Sequence, residues 1–258
     1  MIGNLKSIYM SAIKEGYGII EAKKDDITNL VFACDEFGDT FLHFALYDEN
    51  IEAIKYLMES GSYPLAYNSE SVHPLAIASK CGNIEILKYL IAKSKCCITE
   101  YVEAELFATA AVSGLFDNVK CLLNNNLNCK IPFRNESIVS WALQSENLDI
   151  VKLLCEYGAP INDSNEDGIT PLYSASAEGL LEITEFLLSR GAEVNKSSNI
   201  GCTPLIIASC FGHVEIVKLL LKNGADVDFE DNDKETALSY AIKYGHEKVV
   251  NELLTIVN

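Results

Sequence analysis

The clearest hydrophobic pattern in the chain is GCTPLIIASCFGHVEIVKLLLKNGADVD, in which glycine separates two short apolar stripes. Thr203 is a good N-cap, and Pro204 stands at the first helical position, where its missing N–H costs nothing. The pattern predicts that this first helix ends at Gly212, because glycine readily adopts the left-handed conformation of a C-terminal cap. A second, amphipathic helix is predicted from Val214 to Gly224. The segment therefore predicts a pair of short antiparallel helices.

This pattern recurs along the chain with a period of about 33 residues. The triplets that begin at Thr170, Thr203 and Thr236 are 33 residues apart, and Thr40 lies 33 residues before His73. With weaker copies included, the repeats are predicted to start near residues 7, 40, 73, 105, 137, 170, 203 and 236. One helix pair cannot bury its own apolar stripe, so neighbouring pairs must stack into a solenoid.

The chain resembles the ankyrin-repeat family at the residues that carry this pattern. The closest matches to the family consensus are GITPL from Gly168, GAEVN from Gly191, GHVEIVK from Gly212 and GADV from Gly224. The units that start at 105 and 137 lack the Thr-Pro-Leu triplet but keep the helical hydrophobic pattern. The resemblance implies an all-α ankyrin-repeat solenoid of helix-turn-helix units with β-turn fingers and about seven to eight repeats including caps.

The domain organisation follows from the same repeats. We expect residues 1–258 to form a single ankyrin-repeat domain whose polar first and last repeats act as caps. The N-terminal Met and the two polar ends favour an independent product rather than a fragment.

Composition and charge narrow the class of partner. Apolar residues make up 49% of the chain, and 37 acidic residues against 20 basic ones give a net charge of −17. No basic stripe is present, which argues against binding to nucleic acid or to anionic membranes. Nine cysteines at irregular spacing, with no signal peptide and no apolar stretch long enough to span a membrane, favour reduced thiols in a cytoplasmic protein. We expect a monomer.

Motifs for catalysis and for cofactor binding are absent. The chain has no phosphate-binding glycine loop and no C-x-x-C pair, and its acidic pairs fall in predicted turns. His43 and His213 fall on consensus positions where the resemblance implies ordering of turns and helix ends, and His73 replaces the capping Thr. Cys96 and Cys97 form an adjacent pair that we expect to be reduced, with a strained disulfide as the alternative. The protein is therefore predicted to be non-catalytic, with no cofactor and no metal.

The function implied by the resemblance is protein binding through a concave surface made by the finger tips and the first helices. Aromatic residues and Arg often dominate binding energy, and acidic tips would steer a basic partner. From the repeat register we predict partner contacts at Phe37, Tyr47, Tyr101, Phe133, Arg134, Glu166, Asp167, Phe211 and Tyr244.

Three alternatives remain open from the sequence. The chain could be a regulatory ankyrin module of a longer protein or a host-directed effector, and the divergent residues 100–145 could hold an enzyme or metal site. The resemblance also implies that the Asn of a Val-Asn turn can be hydroxylated in some animal cells, and Asn195 matches that pattern.

Overall fold

The computed structural model describes Tyr9 and residues 33–257, and this part of the chain forms fourteen α-helices joined by turns. In chain order they are α1 Phe41–Tyr47, α2 Ile51–Glu59, α3 Pro74–Ser79, α4 Ile84–Ser94, α5 Glu100–Val112, α6 Phe116–Asn124, α7 Ile138–Leu143, α8 Leu148–Glu156, α9 Pro171–Ala177, α10 Leu181–Ser189, α11 Pro204–Phe211, α12 Val214–Lys222, α13 Ala237–Lys243 and α14 Glu247–Val257. Along the chain the helices alternate as the first and second helices of helix-turn-helix units. Packing contacts join α1 with α2, α3 with α4, α7 with α8, α9 with α10, α11 with α12 and α13 with α14. The predicted all-α architecture of helix-turn-helix units is confirmed, and the first predicted repeat lies outside the described residues except for Tyr9 and residues 33–39.

Residues at the predicted repeat starts cap the first helix of most pairs. Thr170 Oγ1 accepts a hydrogen bond from Tyr173 N at 3.1 Å, and Pro171 follows at the first helical position. Thr203 and Ser137 cap α11 and α7 in the same way. The caps satisfy backbone N–H groups that have no partner within the helix, which is why the repeat period is visible in the sequence.

Six loops precede first helices and are named fingers here. They are finger 1 (33–40), finger 2 (66–73), finger 3 (131–137), finger 4 (163–170), finger 5 (196–203) and finger 6 (229–236). Isolated β-bridges close two of them, between Cys34 and Thr40 and between Phe133 and Glu136.

The pair α5/α6 departs from this plan. Helix α5 begins at Glu100, five residues before the predicted repeat start at 105, and occupies the residues that would form a finger. Glu105 lies inside the helix, where it is buried and faces His73. The repeat start at 105 is therefore placed too late by the sequence pattern, because its Glu is not an N-cap.

The chain divides into two compact units. Unit 1 contains α1 to α4, residues 100–110 of α5 and nearly all of α6, whereas unit 2 contains residues 111–116 and α7 to α14. In unit 1, α1 packs on α3 and α2 packs on α4. In unit 2, first helices pack on first helices and second helices on second helices, from α7/α8 to α13/α14. Each unit thus has the two helical layers of a stacked repeat array.

The last helix pair has a mixed outer surface. Lys248 and Asn251 are exposed, as the predicted polar cap requires. Ile242 and Leu254 are exposed beside them and are apolar.

Candidate functional site

A side chain at the third position holds the tip of most fingers. In finger 1, Asp35 Oδ1 accepts hydrogen bonds from Phe37 N and Asp39 N, each at 2.9 Å. The same two-bond turn is made in other fingers by Asn68, Asn165 and Asp231. Short Asp and Asn side chains suit this task because they reach the backbone two residues further on.

Neighbouring fingers are also joined to one another through their backbones. Ser69 N donates to Phe37 O at 2.8 Å in unit 1, and Asn199 N donates to Asp167 O at 2.8 Å in unit 2. Fingers 5 and 6 are joined in the same way. The tips of fingers 1 and 2, and those of fingers 4 to 6, are therefore held at a fixed spacing.

In unit 1, fingers 1 and 2 and the end of α1 form a surface that combines aromatic rings with carboxylates. Phe37 is 62% exposed at its finger tip, and Tyr47 is exposed at the end of α1. Tyr47 Oη donates to Asp39 Oδ1 at 3.5 Å, and Asn68 Nδ2 donates to the same oxygen at 2.8 Å. Partial burial raises the pKa of Tyr47 to about 12, and the carboxylates of Asp39 and Glu70 contribute. The two fingers contain no Lys or Arg. We call this surface the unit 1 face.

In unit 2, the corresponding surface is built from the later fingers and the ends of α11 and α13. Ile200 is 64% exposed at the tip of finger 5, and Phe211 and Tyr244 are exposed at the ends of their helices. The ring of Tyr244 lies parallel to that of Tyr240, with 6.3 Å between centroids and 6° between planes. Lys243 Nζ lies 5.8 Å from the centroid of Tyr244. We call this surface the unit 2 face.

The buried carboxylate of Asp231 binds groups next to the unit 2 face. Asp231 accepts hydrogen bonds from Asp233 N at 2.9 Å, Glu235 N at 3.0 Å and Tyr240 Oη at 2.8 Å. Burial works to raise the pKa of Asp231, but these hydrogen bonds outweigh it and the pKa is lowered. The hydrogen bond to Asp231 in turn is the main reason that the pKa of Tyr240 is raised.

This carboxylate predicts a pH-dependent contribution to the stability of unit 2. A lowered pKa in the folded state means that Asp231 stabilises the fold above its unfolded pKa of about 3.9, and that this contribution is lost as the pH falls through the folded pKa. We expect Asp231→Asn to be less stable by about 1–2 kcal/mol at pH 7, and the deficit to shrink as the pH approaches the folded pKa. Urea unfolding of both proteins at a series of pH values measures this. A deficit that does not change with pH would contradict the assignment.

Most of the predicted contact residues are exposed in the structure. Exposed side chains are found at Phe37, Tyr47, Tyr101, Arg134, Glu166, Asp167, Phe211 and Tyr244. Tyr101 does not lie on a finger, because it belongs to the first turn of α5. Their role in binding stays a prediction.

The predicted exposure of Phe133 is wrong. Its side chain is only 5% exposed, and its ring lies 5.7 Å from that of Trp141. Trp141 Nε1 donates to Phe133 O at 3.0 Å, which fixes finger 3 against α7. Arg134 and Asn135 turn the tip with positive φ angles of 50° and 60°, and Phe133 packs inward. Phe133 therefore supports finger 3 and does not offer its ring to a partner.

Tyr67 and Ile242 are among the exposed residues that the sequence did not predict as contacts. Tyr67 lies exposed in finger 2, with its ring edge-on to His73 at 5.0 Å between centroids, and Ile242 is exposed on α13. Tyr67 falls where other fingers place unrelated residues. Ile242 stands at a register position that Leu46 and Leu143 fill with buried side chains, so the repeat pattern predicts burial there.

Three histidines form hydrogen bonds that join neighbouring repeats or cap a helix. His213 Nε2 hydrogen-bonds Ala177 O and His246 Nε2 hydrogen-bonds Cys210 O, each at 2.9 Å, so each His ties one repeat to the preceding one. His73 Nδ1 accepts from Ala76 N at 3.0 Å, which confirms its predicted capping position.

Within Tyr9 and residues 33–257, no group of three or more His, Cys, Asp or Glu side chains could hold a metal ion. None of the helices described there is both long and apolar enough to cross a bilayer.

Comparison with known families decides the identity of the repeats. A family model for ankyrin repeats matches three times, at residues 10–100, 107–198 and 193–257. The chain belongs to the ankyrin-repeat family. Ankyrin repeats are in general protein–protein interaction modules and are typically non-catalytic.

Similar proteins contain ankyrin repeats in different contexts. A putative ankyrin repeat protein of fowlpox virus (strain NVSL) is 29% identical over 140 residues, which cover 54% of this chain and 24% of that protein. The human transient receptor potential cation channel subfamily A member 1 is 26% identical over 159 residues, which cover 62% of this chain and 12% of the channel. The zebrafish (Danio rerio) Notch-regulated ankyrin repeat-containing protein A is 32% identical over 92 residues, 34% of this chain and 82% of its own length. This ankyrin chain thus matches less than a quarter of the length of the first two relatives.

Proposed function

We propose that this protein is a non-catalytic scaffold that binds a partner protein through the fingers and first helices, with the unit 1 face and the unit 2 face as separate contact areas. The partner surface is basic and carries apolar groups. The proposal extends the general role of ankyrin repeats to particular residues of this chain.

The observation that carries the proposal is the repeated exposure of large apolar side chains at equivalent positions. Phe37 and Ile200 occupy the same place at the tips of fingers 1 and 5, and Phe211 and Tyr244 occupy the same place at helix ends, with Tyr47 one register position earlier at the end of α1. Exposed aromatic residues on a rigid backbone lose little conformational freedom when a partner covers them, and they are frequent binding hot spots.

Charge supports a basic partner for the unit 1 face. Four carboxylates lie in fingers 1 and 2, at Asp35, Glu36, Asp39 and Glu70, with no Lys or Arg in either finger. Such a field speeds the approach of a basic surface and weakens at high ionic strength. An acidic partner would be repelled.

The experiment compares alanine variants of the two faces in partner capture from a lysate, followed by affinity measurement with the purified partner. We expect Phe37→Ala with Tyr47→Ala, or Phe211→Ala with Tyr244→Ala, to weaken binding by roughly 30-fold or more, which corresponds to at least about 2 kcal/mol. Association should also slow as salt is raised, because the finger charges are exposed.

Matched controls remove exposed aromatic rings from other surfaces. Tyr63→Ala in unit 1 and Tyr157→Ala in unit 2 change residues that are 50% and 48% exposed but lie after second helices. We expect both controls to bind as the unchanged protein does. Equal loss in the controls and the face variants, or no loss in either, would refute the assignment of the faces.

A further inference from the structure

Cys96 and Cys97 are adjacent in the turn that joins α4 to α5, and their Sγ atoms lie 3.5 Å apart. Cys96 is exposed and Cys97 is partly exposed, and both are free thiols. They form the only adjacent cysteine pair in the sequence. The proposed binding function uses neither of them.

The other cysteines are weaker candidates for oxidation, because several of their thiols are buried. Burial raises the pKa of Cys121 and Cys129, and it raises those of Cys155 and Cys202 to about 11. A raised pKa leaves little of the reactive thiolate at neutral pH. Cys34 is exposed but has no cysteine next to it in the sequence.

We propose that Cys96 and Cys97 are a site of reversible oxidation by low-molecular-weight disulfides such as oxidised glutathione. In the first step the Cys96 thiolate attacks the small disulfide RSSR, forming a mixed disulfide and releasing RS⁻, which takes up the proton that Cys96 lost. In the second step Cys97, 3.5 Å away, loses its proton and attacks the Cys96 sulfur of the mixed disulfide, which releases the second RSH. The two thiols are oxidised to one disulfide, and the small disulfide is reduced to two thiols.

The order of attack follows from the geometry of the pair. Cys96 is the more exposed sulfur, so the small disulfide meets it first. The pKa of Cys97 is raised, mainly by its hydrogen bond with Cys96, so Cys97 keeps its proton while Cys96 reacts. Cys97 is then in place as the resolving thiol.

The resulting disulfide is strained and easily reduced. Adjacent Cα atoms are about 3.8 Å apart across a trans peptide, whereas disulfides usually join Cα atoms roughly 4.4–6.8 Å apart. Strained disulfides are more readily reduced than relaxed ones, which suits a reversible modification rather than a structural crosslink.

The disulfide between Cys96 and Cys97 would form close to the start of α5. Cys97 N donates to Ser94 O at 2.8 Å at the end of α4, and Glu103 N donates to Thr99 O at 2.9 Å at the beginning of α5. Helix α5 begins three residues after Cys97, and its first turn carries Tyr101. Distortion of the peptide between the two cysteines therefore loosens the first turn of α5.

The test uses the full chain and glutathione mixtures, followed by trypsin digestion without reductant and mass spectrometry. Cleavage after Lys95 and Lys120 gives fragment 96–120, which contains these two cysteines and no other. In excess oxidised glutathione we expect most of this fragment to lose two hydrogens, and excess reduced glutathione should restore it. Hydrogen exchange of residues 98–104 should accelerate in the oxidised protein.

Controls come from the same digest and from single variants. Fragment 25–55 contains only Cys34 and should gain a glutathione adduct without losing two hydrogens. Cys97→Ser should trap a glutathione adduct on Cys96, because the resolving thiol is gone. Three results with the unsubstituted protein would each overturn the proposal. Fragment 96–120 could carry glutathione adducts without the loss of two hydrogens, it could fail to react, or its cysteines could form disulfides with other fragments.

Discussion

Replacing His73 with alanine is expected to lower the free energy of unfolding by about 3 kcal/mol. Its imidazole is fully buried and makes two hydrogen bonds, since Nδ1 accepts from Ala76 N at the start of α3 and Nε2 donates to Glu105 Oε2 at 3.1 Å. Loss of the cap costs about 1 kcal/mol, and leaving the buried Glu105 carboxylate without this donor costs about 2 kcal/mol. Urea unfolding, with hydrogen exchange of α3 to α5, measures the effect in the full chain.

A matched series separates the two contributions. His73→Thr restores the residue that caps other first helices but leaves Glu105 without the imidazole donor, so about 2 kcal/mol should still be lost. Adding Glu105→Ala removes the carboxylate that has lost the imidazole donor, and the double variant should be more stable than His73→Thr alone. Additive losses in the double variant would show that the two side chains are not coupled.

Gly201→Ala is expected to destabilise unit 2 by about 2–4 kcal/mol. Gly201 has a φ of +80°, where a residue with Cβ costs about 1 kcal/mol. A Cβ there would also come within 2.8 Å of Asn232 N and 2.9 Å of Asp231 Cα, both in the backbone of finger 6. Backbone atoms cannot rotate away as a flexible side chain can, so fingers 5 and 6 must separate, at a further cost of about 1–3 kcal/mol.

The control for this variant is Gly224→Ala. Gly224 has a similar φ of +86°, but a Cβ there would meet no atom within 4 Å. We expect Gly224→Ala to lose only about 1 kcal/mol in urea unfolding. Equal losses at both glycines would mean that close contact between fingers adds nothing to the backbone cost.

Part of the candidate site could be predicted from the sequence because its positions repeat. Phe211 and Tyr244 share a register position, eight residues after Thr203 and Thr236, and both are exposed; Tyr47 stands one position earlier in its own repeat and is exposed as well. At Tyr101 the side chain is exposed as predicted, but it lies on a helix, because an additional stretch of helix replaces the finger. Register therefore identifies the element that carries a residue only where the backbone repeats.

The sequence by itself determined the repeat period, the helix pairs and most caps, because these depend on residues close together in the chain. Thr203 with Pro204, for example, start a helix through local hydrogen bonding and a fixed φ angle. The tertiary structure alone decided the inward packing of Phe133 on Trp141 and the pairing of His73 with Glu105, 32 residues away. Such contacts depend on which side chains meet when repeats stack, and one sequence carries no local signal of that meeting.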